Sequence, residues 1–318
     1  MVASISARGS AACALRYYDH LQRDDYYSRD GEPPGRWAGR GAERLSLVGP
    51  VTHAEFDAAL QGVDPKTGER LAQVGGRGRE HSASWDMSFS APKSVSVLWA
   101  LAEGHDRETI EQAHRSAVLA ATTHLEATAG WARRGRGGAT RERTAGLLMA
   151  QFDHHTSRES DPQLHTHAFI FNLAPRRDGS WGAILSRDLY KAQKEAGATY
   201  RRALASNLER RGIRLERQND TFRVAAIPRD VERAFSNLVG VAGFEPATPA
   251  SRTQCIFPKP LNLLGQHAYS SCFVHAKSTY FIAVSLRFMR CSSCREFPPD
   301  VTEMRALIEG LVQHVRVL

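Results

Sequence analysis

Phe152-Asp-His-His-Thr-Ser-Arg-Glu-Ser-Asp-Pro-Gln-Leu-His-Thr-His-Ala-Phe-Ile-Phe-Asn172 is the stretch on which the reading of this chain turns. His165 and His167 are two apart, so on a strand both rings leave the same face. Phe169, Ile170 and Phe171 continue that strand into an apolar interior. His154 arrives at the end of a preceding apolar run, Leu147 to Phe152, and Asp161-Pro162 marks the turn region between the two. Strands joined in this way bring three imidazoles to one point. Three neutral imidazoles suit a divalent metal and leave coordination positions open for a substrate oxygen. The chain holds 13 histidines. A His-x-His pair therefore arises by chance about half a time in a chain of this length, and the pair alone says little.

Three other segments change its weight. Arg16-Tyr-Tyr-Asp-His-Leu-Gln-Arg-Asp-Asp-Tyr-Tyr27 carries two tyrosine pairs. Gly35-Arg-Trp-Ala-Gly-Arg-Gly-Ala-Glu-Arg-Leu45 follows, and then Trp85-Asp-Met-Ser-Phe-Ser-Ala-Pro-Lys-Ser-Val-Ser96. With the histidine run, these four segments, in this order, resemble the MobF-class conjugative relaxases, a branch of the HUH endonucleases that nick DNA in F-like and related plasmids. The histidine spacing of eleven and then two, closing on Pro-Gln-Leu-His-Thr-His, is that of the class. The resemblance runs from about residue 10 to residue 236.

It implies an α+β fold, a palm-like antiparallel sheet with helices, with the histidine motif on a central strand. It implies one divalent metal ion (Mg, Mn or Zn) on His154, His165 and His167. Tyr17 takes the place of the first-cleavage nucleophile and Tyr26 that of the second, which ends strand transfer. Tyr18 and Tyr27 are neighbours with supporting or substitute roles. Asp86 matches the carboxylate that holds a ligand histidine or helps deprotonate the tyrosine. Lys93, Arg158 and Gln163 lie inside the motifs as candidate DNA contacts. The chemistry is physically coherent. A phenol with a pKa of about 10 is a poor nucleophile at neutral pH. A metal that polarises the scissile phosphate and stabilises charge on its oxygens offsets that weakness. The resulting phosphotyrosine keeps the energy of the phosphodiester, so resealing needs no ATP. The implied partners are single-stranded DNA at an origin of transfer and accessory relaxosome proteins.

His155 departs from the pattern, standing where an acidic or other polar residue is common. On a strand its ring points away from His154, to the opposite face. The family's domain also continues past Ser236, so the fold is expected to be incomplete at its C-terminal end.

Bulk composition agrees with this reading without requiring it. Charged residues make up 24% and hydrophobic residues 42% of the 318, which is ordinary globular usage. The net charge of +8 suits a polyanionic partner. No apolar run reaches membrane-spanning length and no signal-peptide core opens the chain, so a cytoplasmic location is expected. No Gly-x-x-x-x-Gly-Lys-Ser/Thr run occurs, so no helicase domain is expected either.

Along the chain, residues 10 to 23 read as a helix carrying the first tyrosine pair. Gly31 to Gly41 is a Pro/Gly-rich loop, and Thr52 caps a helix with Glu55 three residues on. Asp64 to Gly78 reads as a loop or hairpin. Trp85 to Ser90 alternates as a half-buried strand with its polar side toward a site. A helix starts near Pro92 and a long one spans Asp106 to Ala129. Gly130 to Thr140 is a basic linker, in which Arg133, Arg134 and Arg136 either track phosphates or are merely solvated. Asp178-Gly179 signals a hairpin. Leu189 to Leu204 follows helical spacing, with Gly212 ending that helix and Phe222 to Ala226 reading as a strand.

At about Asn237 the chain changes character. Pro246 through Arg295 contains no acidic residue, whereas the first 237 residues hold 29 of the 34 acidic residues and all five tryptophans. Cys255, Cys272, Cys291 and Cys294 all follow the break. Gly243 to Gln254 resembles a peptide that recurs in spurious open reading frames. The expected organisation is therefore a nicking domain over 1–236 and an unrelated tail over 237–318. Cys291-x-x-Cys294 lacks the second Cys/His pair of a zinc site. Two other readings of the whole chain stand beside the relaxase: a rolling-circle initiator or transposase of the HUH group, and a DNA-binding remnant without activity.

Overall fold

The structure, a computed structural model, describes residues 3–23, 33–72, 83–135, 139–157 and 161–237. Tyr26, Tyr27, Arg136, Arg158, the end of the Asp64 to Gly78 loop and the tail from residue 238 lie outside the described residues.

The chain opens with β1 (Ala3–Arg8), α1 (Ala11–Arg23), β2 (Arg36–Ala38), α2 (Arg40–Arg44) and α3 (His53–Leu60). It continues through β3 (Ser84–Ser90), α4 (Lys93–Leu101), α5 (Gly104–Ala129), β4 (Trp131–Arg134) and β5 (Thr140–Arg143). The histidine strands β6 (Met149–Thr156) and β7 (Pro162–Phe171) come next, followed by β8 (Ala174–Pro175), β9 (Trp181–Gly182) and α6 (Ser186–Glu209). The hairpin of β10 (Leu215–Gln218) and β11 (Thr221–Val224) leads to α7 (Arg229–Asn237).

Five strands form one sheet in the order β1-β3-β7-β6-β2, with every neighbouring pair antiparallel. β7 is the central strand, as the α+β palm reading expects. The two-residue period of a strand divides the sheet into two faces. On the front face, Phe152, Phe169 and Phe171 pack with Phe56 of α3 and Tyr18 of α1. The Phe56 ring lies 4.2 Å from Tyr18, 4.8 Å from Phe169 and 5.0 Å from Phe171. Each such side chain taken fully from water contributes about 1.5–3 kcal/mol. On the back face Phe89 meets Tyr200 of α6 at 5.6 Å. α6 also comes close to β1. A Cβ added at Gly197 would lie 3.0 Å from the Cβ of Ala3, tighter than a side chain normally tolerates.

Local signals explain several element ends. The Thr52 side chain accepts from the Glu55 backbone N–H at 3.3 Å, and the Glu55 carboxylate accepts from the Thr52 N–H at 3.3 Å. That reciprocal pair satisfies two donors at the start of α3. Gly212, at φ +82°, follows α6 in a backbone conformation that glycine adopts without strain. Asp178-Gly179 turns β8 into β9.

Two expectations are corrected. Gly130 to Thr140 is not a linker, because β4 and β5 pair there as a hairpin, Trp131 opposite Arg143. Its basic residues concealed the pattern. Ala132 is fully buried, and the Arg141 and Arg143 guanidinium groups lie 3.8 and 4.8 Å from the Trp131 ring centroid, so the charges cover an apolar surface. Arg134 pairs with Glu142 at 3.0 Å and Asp178 at 2.7 Å. β3 is half-buried only toward its end, for Ser84 and Asp86 on its polar side are as enclosed as Met87 and Phe89, while Ser88 and Ser90 are partly exposed. The polar face is covered by the site itself.

Candidate active site

The register of β6 against β7 places His154 directly opposite His165, with Phe152 opposite His167. All three imidazoles therefore rise from the front face, beside the phenylalanine cluster. Their ring centroids form a nearly equilateral triangle, 5.3 Å for His154–His165, 5.2 Å for His154–His167 and 5.1 Å for His165–His167. His155, one residue on, faces the other way and stacks on Trp99 at 4.6 Å. It stands apart from the triangle, as strand alternation requires.

β3 delivers a carboxylate to the same point. Asp86 Oδ2 lies 2.9 Å from His167 Nδ1, and Oδ1 lies 3.1 Å from it. The Tyr17 hydroxyl, from α1, donates to Asp86 Oδ2 at 2.7 Å and stands 3.3 Å from His167 Nδ1. Ser88 Oγ is 3.0 Å from the same nitrogen. Arg8, at the end of β1, donates to Asp86 Oδ2 at 2.7 Å, and its guanidinium lies 3.4 Å from the Tyr17 ring centroid. Burial alone would raise the Asp86 carboxyl. The charge and hydrogen bond of His167, with Arg8 and Tyr17, outweigh burial and hold it well below the usual carboxylate range. Asp86 is thus a fixed anion that aims the phenol and the imidazole, and a weak proton acceptor.

Hydrogen bonding sets the tautomers. A carboxylate only accepts, so His167 carries its proton on Nδ1 and leaves Nε2 as a lone pair. His165 Nδ1 faces the Gln163 carbonyl at 2.8 Å, and the same reasoning leaves its Nε2 available. Desolvation, with the neighbouring His167 and His154 rings, keeps His165 neutral far below its ordinary pKa. Among the described residues no group of three or more His, Cys, Asp or Glu is gathered as a ready-made metal cage. The triangle nevertheless has the right size. Around one tetrahedral ion with metal–nitrogen bonds of about 2.0–2.1 Å, imidazole centroids stand roughly 5 Å apart.

The remaining expected residues divide. Tyr18 is 2% exposed, donates to the Val51 carbonyl at 3.3 Å, and is pushed up to about 12 by burial and by Asp19 and Glu55. It is a core residue beside the site. Lys93 donates to the Pro162 carbonyl at 3.2 Å and pairs with Asp161 at 3.5 Å, tying α4 to the entry of β7. Gln163 acts on the site through its carbonyl. Ser88 lies on the polar side of its strand that the alternation turned toward a site, whereas Arg8 went unread in the sequence. The alternation of Ser4, Ser6 and Arg8 with Ala3, Ile5 and Ala7 was the available signal for β1 and its polar face.

The model of the TrwC relaxase family matches residues 11–237. The multifunctional conjugation protein TraI of Escherichia coli is 34% identical over 260 residues, which span 78% of this chain and 14% of that protein. A second Escherichia coli TraI is 39% identical over 183 residues, 58% of this chain and 10% of its own length. Among solved structures, a metal-bound conjugative relaxase TrwC in complex with oriT DNA superposes with a TM-score of 0.65, at 26% identity, covering 98% of each chain. A copper-bound TrwC complex with oriT DNA gives 0.64 at 33% identity, covering 74% of this chain and 80% of that one. The chain spans a small fraction of the length of the TraI proteins it matches. With the tyrosine, carboxylate and histidine geometry above, these matches show that the chain belongs to the TrwC relaxase family, whose members are DNA-nicking enzymes.

Proposed function

We propose that this chain nicks one strand of DNA at an origin of transfer by tyrosine transesterification. The observation that carries the reading is the Tyr17 hydroxyl, held 2.7 Å from Asp86 and 3.3 Å from the imidazole of His167. The phenol oxygen attacks the scissile phosphorus. A new O–P bond to Tyr17 forms, the bond from phosphorus to the 3′ oxygen breaks, and that oxygen leaves as a 3′ hydroxyl with a proton. The 5′ phosphate stays on the tyrosine. Arg8 stabilises the negative charge that develops on the phenol oxygen. Asp86 orients the attacking hydroxyl and keeps His167 in the tautomer that faces away from it.

His154, His165 and His167 would hold one divalent metal. When bound, it supplies Lewis-acid polarisation of the scissile phosphate. An all-imidazole donor set favours Zn over Mg or Mn, which prefer carboxylate, carbonyl and water. Tyr26 is the proposed second nucleophile, and Tyr27 its neighbour. The proposed partners are single-stranded oriT DNA, with Arg158 among its contacts, and relaxosome accessory proteins. No helix among the described residues is long and apolar enough to cross a membrane, and a cytoplasmic location remains part of the proposal.

Covalent trapping tests this. A 5′-labelled upstream fragment and a protein-linked downstream fragment are expected from an oriT oligonucleotide. No adduct on any tyrosine, with folded protein and metal present, would refute the reading.

A further inference from the structure

Behind the three histidines, on the opposite face of the sheet, runs a buried chain of polar side chains that the nicking chemistry does not use. Tyr200 of α6 lies 2.7 Å from His114 Nδ1, and His114 Nε2, on α5, lies 2.8 Å from Thr166 Oγ1. The Thr166 hydroxyl donates to Asp153 Oδ1 at 2.6 Å. Arg36 at 2.5 Å and Arg115 at 2.9 Å close the chain on Asp153 Oδ2. None of the four central side chains is more than 3% exposed.

Counting protons gives the chain one direction. The single hydroxyl proton of Thr166 goes to Asp153, so Thr166 accepts from His114 Nε2–H. Burial pushes His114 down to about 4, so it is neutral, and its Nδ1 then accepts from the Tyr200 hydroxyl. Every donor points toward the Asp153 carboxylate, whose charge the two arginines offset. Such a fully satisfied buried network is rigid.

Its position is what gives it consequence. Thr166 lies between His165 and His167 on β7, and Asp153 immediately precedes His154 on β6. The register pairs Asp153 with Thr166 on the back face, next to the pair His154 and His165 on the front. A slip of one residue between these strands would break the Thr166–Asp153 bond and turn the histidines to the wrong face. We propose that the Tyr200–His114–Thr166–Asp153 chain is a positioning device for the three histidines, locking β6 against β7 from behind and setting the spacing at which the rings take up a divalent metal. These are positioning residues, since none touches the substrate or the metal. The inference rests on the metal reading above.

The test is a Co2+ titration of the full chain, followed by the visible absorption of the bound ion, with circular dichroism as the fold control. Thr166→Val keeps the shape and removes the hydroxyl. It is expected to weaken Co2+ binding by about tenfold or more and to change the ligand-field spectrum, while Thr166→Ser, which restores the hydroxyl, returns both. If Thr166→Val does not fold, Tyr200→Phe, which removes only the far donor, is expected to weaken binding by about threefold or more. Wild-type uptake that does not depend on His165 would overturn the metal reading and this inference with it. His165-dependent uptake that Thr166→Val, or in its place Tyr200→Phe, leaves unchanged in affinity and spectrum would overturn the inference alone.

Discussion

Tyr17 and Asp86 share one short hydrogen bond, 2.7 Å from phenol to carboxylate, although 69 residues separate them. The bond joins the helix that carries the proposed attacking oxygen to the strand beside the histidine strand β7. Arg8 closes the same contact from the far edge, on Asp86 and across the Tyr17 ring. A tyrosine held in this way loses little freedom when it reaches the reacting geometry. Its neighbour Tyr18 is turned into the core, so the two members of the pair have different environments.

Tyr17→Phe keeps the ring over which Arg8 lies and removes the proposed attacking oxygen. The covalent adduct is expected to vanish or move to Tyr26 or Tyr27, with the melting temperature little changed. Tyr18→Phe should do the reverse, retaining the adduct while losing about 1 kcal/mol of stability with its hydrogen bond to Val51. Peptide mapping of the trapped adduct and thermal unfolding of both variants decide this. An adduct that survives intact at full yield in Tyr17→Phe would move the first-cleavage role elsewhere.

Asp86→Asn separates orientation from charge. The amide accepts the Tyr17 proton but no longer offsets Arg8, and it can present its N–H2 to His167. Single-turnover nicking is expected to slow by about 10–100-fold, while affinity for an uncleavable oligonucleotide stays near wild type. Equal rates for the two proteins would leave Asp86 with a purely structural part.

His165→Ala removes one corner of the triangle. Nicking is expected to fall below detection, whereas DNA binding should persist with the same salt dependence, because phosphate contacts supply most of the affinity. Filter binding over a range of salt, beside a nicking assay, reads both. Wild-type cleavage by this variant would refute the metal-ligand assignment.

Legibility in the sequence followed the range of the interaction. β6 and β7 were readable because the apolar runs and the histidine spacing lie within a few residues of each other, and the short connection fixes their pairing. α3 was readable through Thr52 and Glu55. Arg8 was not, since it reaches Asp86 only through the pairing of β1 with β3, 78 residues apart, and no local pattern encodes that register. The back-face chain was hidden for the same reason. Tyr200 and His114 sit at ordinary core positions of amphipathic helices, and only packing brings them to Thr166. The β4–β5 hairpin was misread because its arginines look solvated when counted as charges. The guanidinium groups of Arg141 and Arg143, on its second strand, lie over the Trp131 ring.

The compositional break near Asn237 supports the proposal that residues 238–318 are no integral part of the nicking fold. Sequence lacking the consistent patterning of a packed core adds little to one. A chain ending at residue 237 is expected to keep the melting temperature and the metal affinity of the full chain within error. A large loss of either on deletion would make the tail part of the design.

His114 should leave a signature in the pH dependence of stability. Its folded pKa of about 4 lies below the ordinary histidine value, first because it is buried, with Arg36, Arg115 and His155 opposing its charge and Asp153 favouring it. Tyr200, the other titratable group against it, stays neutral, raised well above its usual range by burial. A depressed pKa means that the unfolded chain takes up the proton first as pH falls. The contribution is therefore present above pH 6.5 and is lost progressively as pH falls toward 4. Between pH 7 and pH 5 this one group should cost the native state about 2 kcal/mol. His114→Gln, which offers an amide in place of the ring, is expected to be less stable at pH 7 and to show a shallower loss toward pH 5. Urea unfolding of both proteins at the two pH values measures the difference of slopes. Parallel pH profiles would show that the His114 proton is not excluded from the folded core, and that the direction assigned to the hydrogen-bond chain is wrong.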